Sequence, residues 1–200
     1  MDLAVIGIAF AAIFVVELPD KTFIAALVLA TRYNPLAVWI GVGLAFLVQT
    51  LIGVSVGKVV TYLPDQVVQA VALVIFLAGA VLLFREAPKA DAEESATEES
   101  YAAKATASRT GLAAVSASFL VLFAAEWGDL SQLLTISLVG RYHQPVSVFI
   151  GAWVALLAVS GLAVLGGRIL LRHVRLSVVH YVGASVCLVL AAVTAFELVR

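Results

Sequence analysis

Charge is scarce in this chain. Only 12% of its 200 residues are Asp, Glu, Lys or Arg, where a soluble domain carries about 25%. Hydrophobic residues make up 63%, and the mean hydropathy is +1.10. This excludes a water-soluble globular protein and leaves an integral membrane protein lying almost wholly in or close to the bilayer. Cysteine is nearly absent as well. The lone Cys187 excludes an intramolecular disulfide and a thiolate metal site, and reads as a small apolar packing residue. The three histidines, His143, His173 and His180, fall at the ends of apolar segments, where an interfacial position suits them. No basic region precedes the first apolar segment, which opens with Asp2, so no cleavable signal peptide is expected. Nor does a Ser–His or Cys–His arrangement occur at mid-bilayer depth, so nucleophilic catalysis has no support and the chain is not expected to be an enzyme.

What the chain does have is long apolar runs. A spanning helix needs about 20 mostly apolar residues, and six stretches qualify, at roughly 3–31, 35–58, 66–84, 110–139, 146–168 and 176–198. The only polar stretch, 85–108, holds Glu86, Asp91, Glu93, Glu94, Glu98 and Glu99 among Ala, Ser and Thr. It is too poor in apolar residues to fold alone, which predicts a flexible linker. The pattern predicts an all-α membrane protein of six transmembrane helices, with one three-helix unit over 1–84, the linker over 85–108 and a second unit over 109–200.

Two acidic motifs interrupt the apolar runs: Glu17-Leu18-Pro19-Asp20-Lys21-Thr22 and Glu126-Trp127-Gly128-Asp129-Leu130-Ser131. A charge at the bilayer centre costs roughly 2.5–3.5 kcal/mol on insertion scales, so four carboxylates there mark a functional site. The motifs belong to a duplication. Glu17, Asp20, Arg32 and Tyr33 recur as Glu126, Asp129, Arg141 and Tyr142 at an offset of 109. After one inserted residue, Pro35, Ile40, Gly41, Thr50 and Gly57 recur as Pro145, Ile150, Gly151, Ser160 and Gly167. Three crossings per unit is an odd number, so the second unit enters from the opposite face and the repeats are inverted. Each motif lies roughly 20 Å into its segment at 1.5 Å per residue, near the midplane. Eight Lys and Arg on the linker side against three on the other predict a cytoplasmic linker with both termini outside, in a plasma or inner membrane.

If each motif is helical throughout, Glu17, Asp20 and Lys21 share a face, as do Glu126 and Asp129. Lys21 then stands four residues after Glu17, in the favourable order for an ion pair, and Leu130 gives the second motif no such partner. Pro19 and Gly128 take the same place in the two motifs: proline frees a carbonyl, and glycine tolerates unwinding. Irregular backbone at this depth survives only against protein or a cavity. The candidate ligands are all oxygens: the carboxylates of Glu17, Asp20, Glu126 and Asp129, the hydroxyls of Thr22 and Ser131, and the amides of Gln132 and Gln49. Gln49, Thr50 and Ser160 also suit interhelical hydrogen bonding. An all-oxygen set favours Ca²⁺, Mn²⁺ or Mg²⁺ over copper or zinc. Four ionised carboxylates and Lys21 sum to −3, a charge that a low-dielectric cavity holds only with a cation or shared protons, which predicts exchange of one for the other.

The pattern Glu-x-Gly-Asp-(Lys/Arg)-(Ser/Thr), once in each of two inverted three-helix halves, resembles the Golgi calcium/manganese transporter family of cation/proton exchangers, whose bacterial branch comprises manganese exporters. The likeness covers nearly the whole chain, with Pro19 replacing the motif glycine in the first half and Leu130 the basic residue in the second. It implies a site formed by Glu17, Asp20, Glu126 and Asp129, with Thr22 and Ser131 as hydroxyl ligands, and Mn²⁺ or Ca²⁺ as the transported ion with H⁺ as counter-ion. The reading is therefore a proton-coupled divalent-cation exporter working by alternating access, with Lys21, Pro19 and Gly128 in gating or charge balance. Its partners are the metal ion and the lipid bilayer, with no nucleic acid and no cofactor. A Na⁺ or other cation carrier is one alternative. An intramembrane aspartyl hydrolase using Asp20 and Asp129 is the other, and it leaves the glutamates and the repeat unexplained.

Overall fold

The computed structural model describes the backbone of residues 1–18, 20–105, 109–173 and 176–199, and their side chains except at 65, 91–95, 104, 167–173, 176 and 199. These residues form eight helices: α1 (Leu3–Glu17), α2 (Lys21–Arg32), α3 (Pro35–Val60), α4 (Asp65–Lys104), α5 (Leu112–Ala125), α6 (Leu130–Tyr142), α7 (Pro145–His173) and α8 (Leu176–Val199). Their starts follow from local chemistry. Asp2 accepts hydrogen bonds from the N–H groups of Ala4 and Val5 at the head of α1, and Asn34 does the same for Leu36 and Ala37 at the head of α3. Pro35 and Pro145 occupy first-turn positions, where a missing N–H costs nothing.

Pro35–Val60, Gln66–Ala90, Pro145–Gly166 and Ser177–Leu198 are long and apolar enough to cross a membrane. The first and fourth expected spans are each two half-helices, with α1 and α2 at 70° and α5 and α6 at 71°. Counting each bent pair as one span gives the six expected crossings. At the breaks Glu17 and Glu126 are buried, whereas Lys21, Trp127 and Gly128 are exposed. Large apolar side chains such as Leu51, Val74, Leu162 and Val189 are exposed on its outer surface, where lipid tails solvate them.

The halves are interlocked rather than side by side. α1 packs on α7 of the other repeat, and α5 packs on α3. The contacts are nearly superimposable. A Cβ at Gly41 would lie 2.4 Å from the Val115 carbonyl oxygen, and one at Gly151 would lie 2.4 Å from that of Ile6. No residue but glycine fits either crossing without displacing backbone. Phe10 stacks on Phe14 at 5.4 Å and Phe119 on Phe123 at 5.5 Å, each pair at the same place in its repeat. Across the α3–α7 seam, the Trp39 indole donates to the Leu157 carbonyl and that of Trp153 to the Gly43 carbonyl. α4 lies along α8, where Gly79 gives room for Cys187 and Leu130, and Gly183 for Leu83.

One expectation changes. The segment read as a flexible linker over 85–108 continues α4 as helix through Lys104, with Pro88 inside it. Ala and Glu are good helix formers, which the low hydrophobicity obscured. Ala87, Ala90, Tyr101 and Ala105 are buried, so this extension is packed onto the protein along part of its length.

Candidate cation site

The two breaks put the four acids in one place. α1 ends at Glu17 and Asp20 is the N-cap of α2; α5 ends just before Glu126 and Asp129 is the N-cap of α6. In both, the aspartate N–H donates to the glutamate carbonyl, at 3.1 Å from Asp20 to Glu17 and 3.2 Å from Asp129 to Glu126. Neither aspartate uses its carboxylate as a helix cap, though both hold the cap position. Both carboxylates are thus left for the site, with the positive end of a half-helix behind each. The expectation that each motif shares one continuous helical face is corrected here, because the helix stops between the two acids and a turn presents them instead. At the second break Gly128 has φ +79°, a left-handed conformation that side-chain-bearing residues adopt at a cost. Pro19, its counterpart, lies outside the described residues.

One carboxylate oxygen from each of Glu17, Asp20, Glu126 and Asp129 lies within 4.8 Å of the others. The glutamates are sealed, at 0% and 2% exposure, and the aspartates are half-buried. The Thr22 hydroxyl donates to Glu17 Oε2 at 3.1 Å, and that of Ser131 donates to Glu126 Oε2 at 3.4 Å. The other oxygen of each glutamate, Oε1, is buried without a hydrogen-bond partner. Buried polar atoms are nearly always paired, and two orphans at equivalent places in the repeats are what a cation would satisfy. The four carboxylates and the two hydroxyls make a hard-oxygen set.

Gln132 and Gln49 are occupied otherwise. Gln132 Oε1 accepts from the Gly128 N–H at 3.1 Å, and its Nε2 donates to Gln49 Oε1 at 2.9 Å. Gln49 Nε2 in turn donates to the Phe123 carbonyl at 2.9 Å. The pair braces the second break, closing a chain from the end of α5 through α3 to the start of α6. Ser160 donates to the Leu157 carbonyl of its own helix and the buried Thr50 Oγ1 has no hydrogen-bond partner among the described residues, so neither makes the expected interhelical bond. Lys21 does not pair with Glu17. It is exposed in the first turn of α2, beyond the break that removes the expected helical spacing.

A cavity of about 200 Å³ adjoins the site, lined by Asp20, Lys21, Glu86, Gly128, Asp129 and His180 among others. His180, read as interfacial, is buried at 8% exposure; His143 is exposed, and the side chain of His173 lies outside the described residues. Tyr101 was not singled out by sequence at all. It is buried, and its phenol is held above its ordinary pKa, first by burial and then by the charges of Asp20, Glu126 and Asp129. The α4 extension thus reaches the neighbourhood of the acids. No local signal marks these residues, because their relation to the motifs is made by chain folding alone.

Comparison with known proteins bears on this arrangement. The family described as "Divalent cation/proton antiporter GDT1" matches residues 5–91 and again 114–200. "Protein PAM71-homolog, chloroplastic" of Arabidopsis thaliana is 34% identical, over 94% of this chain and 58% of its own length. "GDT1-like protein sll0615" of Synechocystis is 30% identical, over 91% of this chain and 92% of its own. A Vibrio cholerae protein named "Putative manganese exporter" is 30% identical, over 97% and 92% respectively. The chain spans rather less than two thirds of the length of the plant chloroplast relatives it matches. No solved structure matches it.

Proposed function

Since this chain belongs to the GDT1 family of divalent cation/proton antiporters, we propose that it exports Mn²⁺, and in second place Ca²⁺, in exchange for protons. The observation that carries the reading is the pair of orphaned oxygens, Glu17 Oε1 and Glu126 Oε1, within a cluster of four carboxylates. Four carboxylates in so small a volume repel one another strongly, and a low-dielectric setting amplifies the repulsion. The cluster is neutralised by a divalent ion, by protons, or by a share of each. Loading one therefore drives off the other, which is the coupling an antiporter needs. Reluctant dehydration makes Mg²⁺ a poorer fit to so enclosed a site than Ca²⁺ or Mn²⁺, and the name of the Vibrio relative favours manganese.

The roles follow from position. Glu17, Asp20, Glu126 and Asp129 bind the ion, and Thr22 and Ser131 orient the two glutamates and offer hydroxyl oxygens. Gly128 and Pro19 set the breaks, and Lys21 contributes charge balance from the cavity wall. Alternating access then rocks one repeat against the other about this fixed centre. The excess of Lys and Arg on the linker side supports a cytoplasmic linker and outside termini in a plasma or inner membrane. The reading requires neither a cofactor nor a catalytic residue.

The test is Mn²⁺ and Ca²⁺ flux in proteoliposomes with and without an imposed pH gradient, comparing wild type with Asp129→Asn. Flux that follows the gradient and collapses in the variant is expected. Well-folded wild type that moves neither ion under any gradient would rule the reading out and bring a Na⁺ carrier forward.

A further inference from the structure

The four acids are not equally reachable. Glu17 and Glu126 are sealed, whereas Asp20 and Asp129 lie on the wall of the cavity of about 200 Å³. The rest of that wall has a consistent sidedness. Leu82, Leu83 and Glu86 come from the end of the apolar part of α4, just before its extension, and His180 comes from the start of α8. With six crossings, the end of the third and the start of the sixth lie on the same membrane face, the linker face. The other lining residues, Val16, Lys21, Gly128, Leu130 and Leu133, belong to the two breaks or adjoin them. The cavity thus runs from the paired aspartates towards the linker face and no further.

We infer that this cavity is the path by which the cation moves between the site and the linker face, with Glu86 as the attracting charge at its outer end and His180 part of the wall it passes. This rests on the cation-transport reading of the site. Glu86 is exposed, so it carries its charge at little cost. A carboxylate at the mouth of a low-dielectric cleft focuses the field and raises the local cation concentration and capture rate. Lys21, on the same wall, opposes that attraction. Glu86 on the same wall offsets it.

The test separates the path from the transport reading. In a Cys187→Ala background, Glu86→Cys and His180→Cys are probed with a membrane-impermeant thiol reagent in sealed vesicles of each orientation, with Ser100→Cys as the linker-face marker. Both positions should label from the side that labels Ser100→Cys, and saturating Mn²⁺ should slow the labelling severalfold. Labelling only from the opposite side, or labelling indifferent to Mn²⁺, would overturn the path. In flux assays Glu86→Gln should raise KM for Mn²⁺ on the linker side by about threefold to tenfold at low salt with kcat retained, and the difference should close near 1 M salt, where the Debye length is about 3 Å. An unchanged KM would remove Glu86 from the path. If wild type carries no Mn²⁺ at all, the transport reading falls, and the sidedness of labelling still decides where the cavity opens.

Discussion

The two acidic breaks hold the same four carboxylates with unlike scaffolding. In each, an aspartate N–H grips the glutamate carbonyl and a hydroxyl five residues on donates to the glutamate. Beyond that they part. The second break is braced by the Gln132–Gln49 pair, whereas the matching positions in the first repeat pattern are Phe23 and Val159, both buried and apolar. The arginines at the far ends of the half-helices differ likewise. The Arg141 side chain is buried, paired with Glu197 at 2.9 Å and in contact with the Thr194 hydroxyl, while Arg32 is exposed. The acids and hydroxyls of the candidate site are thus duplicated, as are the glycine crossings, whereas the Gln132–Gln49 brace is not. The lesson is that inverted repeats can share their acids while differing in the hydrogen bonds around them.

The comparison can be broken first at its common part. If the glutamates are equivalent, Glu17→Gln and Glu126→Gln should each lower Mn²⁺ flux by roughly 150-fold to 5,000-fold, since leaving a buried charge without its partner costs about 3–5 kcal/mol, at about 1.36 kcal/mol per tenfold. A variant that keeps more than a tenth of the flux would show the halves unequal at the ligands. Next comes the brace. Gln132→Leu leaves the Gly128 N–H and Gln49 Oε1 without partners, so a loss of about 1–3 kcal/mol is expected, read by thermal unfolding in detergent. Phe23→Gln should not restore it, and a double-mutant cycle of Gln49→Ala with Gln132→Ala should show coupling. Gly128→Ala should cost about 1–2 kcal/mol from backbone strain alone, since a Cβ there meets nothing within 4 Å. Smallest is Lys21→Leu, which makes the first motif resemble the second. Lys21 is exposed, so thermal unfolding should stay within about 0.5 kcal/mol of wild type.

The fold was legible because apolar runs and misplaced charges are strong signals. Glu17, Asp20, Glu126 and Asp129 stood out by the cost of burying them, and the shared order of Arg-Tyr, Pro and Ile-Gly exposed the repeat. The break was half visible: Pro19 and Gly128 marked irregular backbone, but nothing in their spacing says that the helix stops and restarts at 71°. Lys21 was misplaced for that reason, as a helical spacing was applied across a turn. The helix through 85–104 went unseen because low hydrophobicity suggests a tether, whereas Ala and Glu propensity together with packing of Ala87, Ala90 and Tyr101 decides otherwise. Gln132 and Gln49 are partners, and His180 and Asp129 line one cavity, only through folding over many residues, and no side chain among them carries a local mark of the other.

The glycine crossings at Gly41 and Gly151 bear on how the chain is made. Each seats the opening helix of the opposite repeat, so α1 lacks its main partner until α7 has been synthesised. The nascent first half therefore enters the membrane with Glu17 and Asp20 lacking the Glu126 and Asp129 carboxylates that lie beside them in the folded protein, and without the α7 surface on which α1 packs. Maturation is thus a late event in biogenesis. A chain stalled before α7 presents intramembrane charge and an unfilled seat, and both are features by which cellular quality control can tell an unfinished carrier from a finished one.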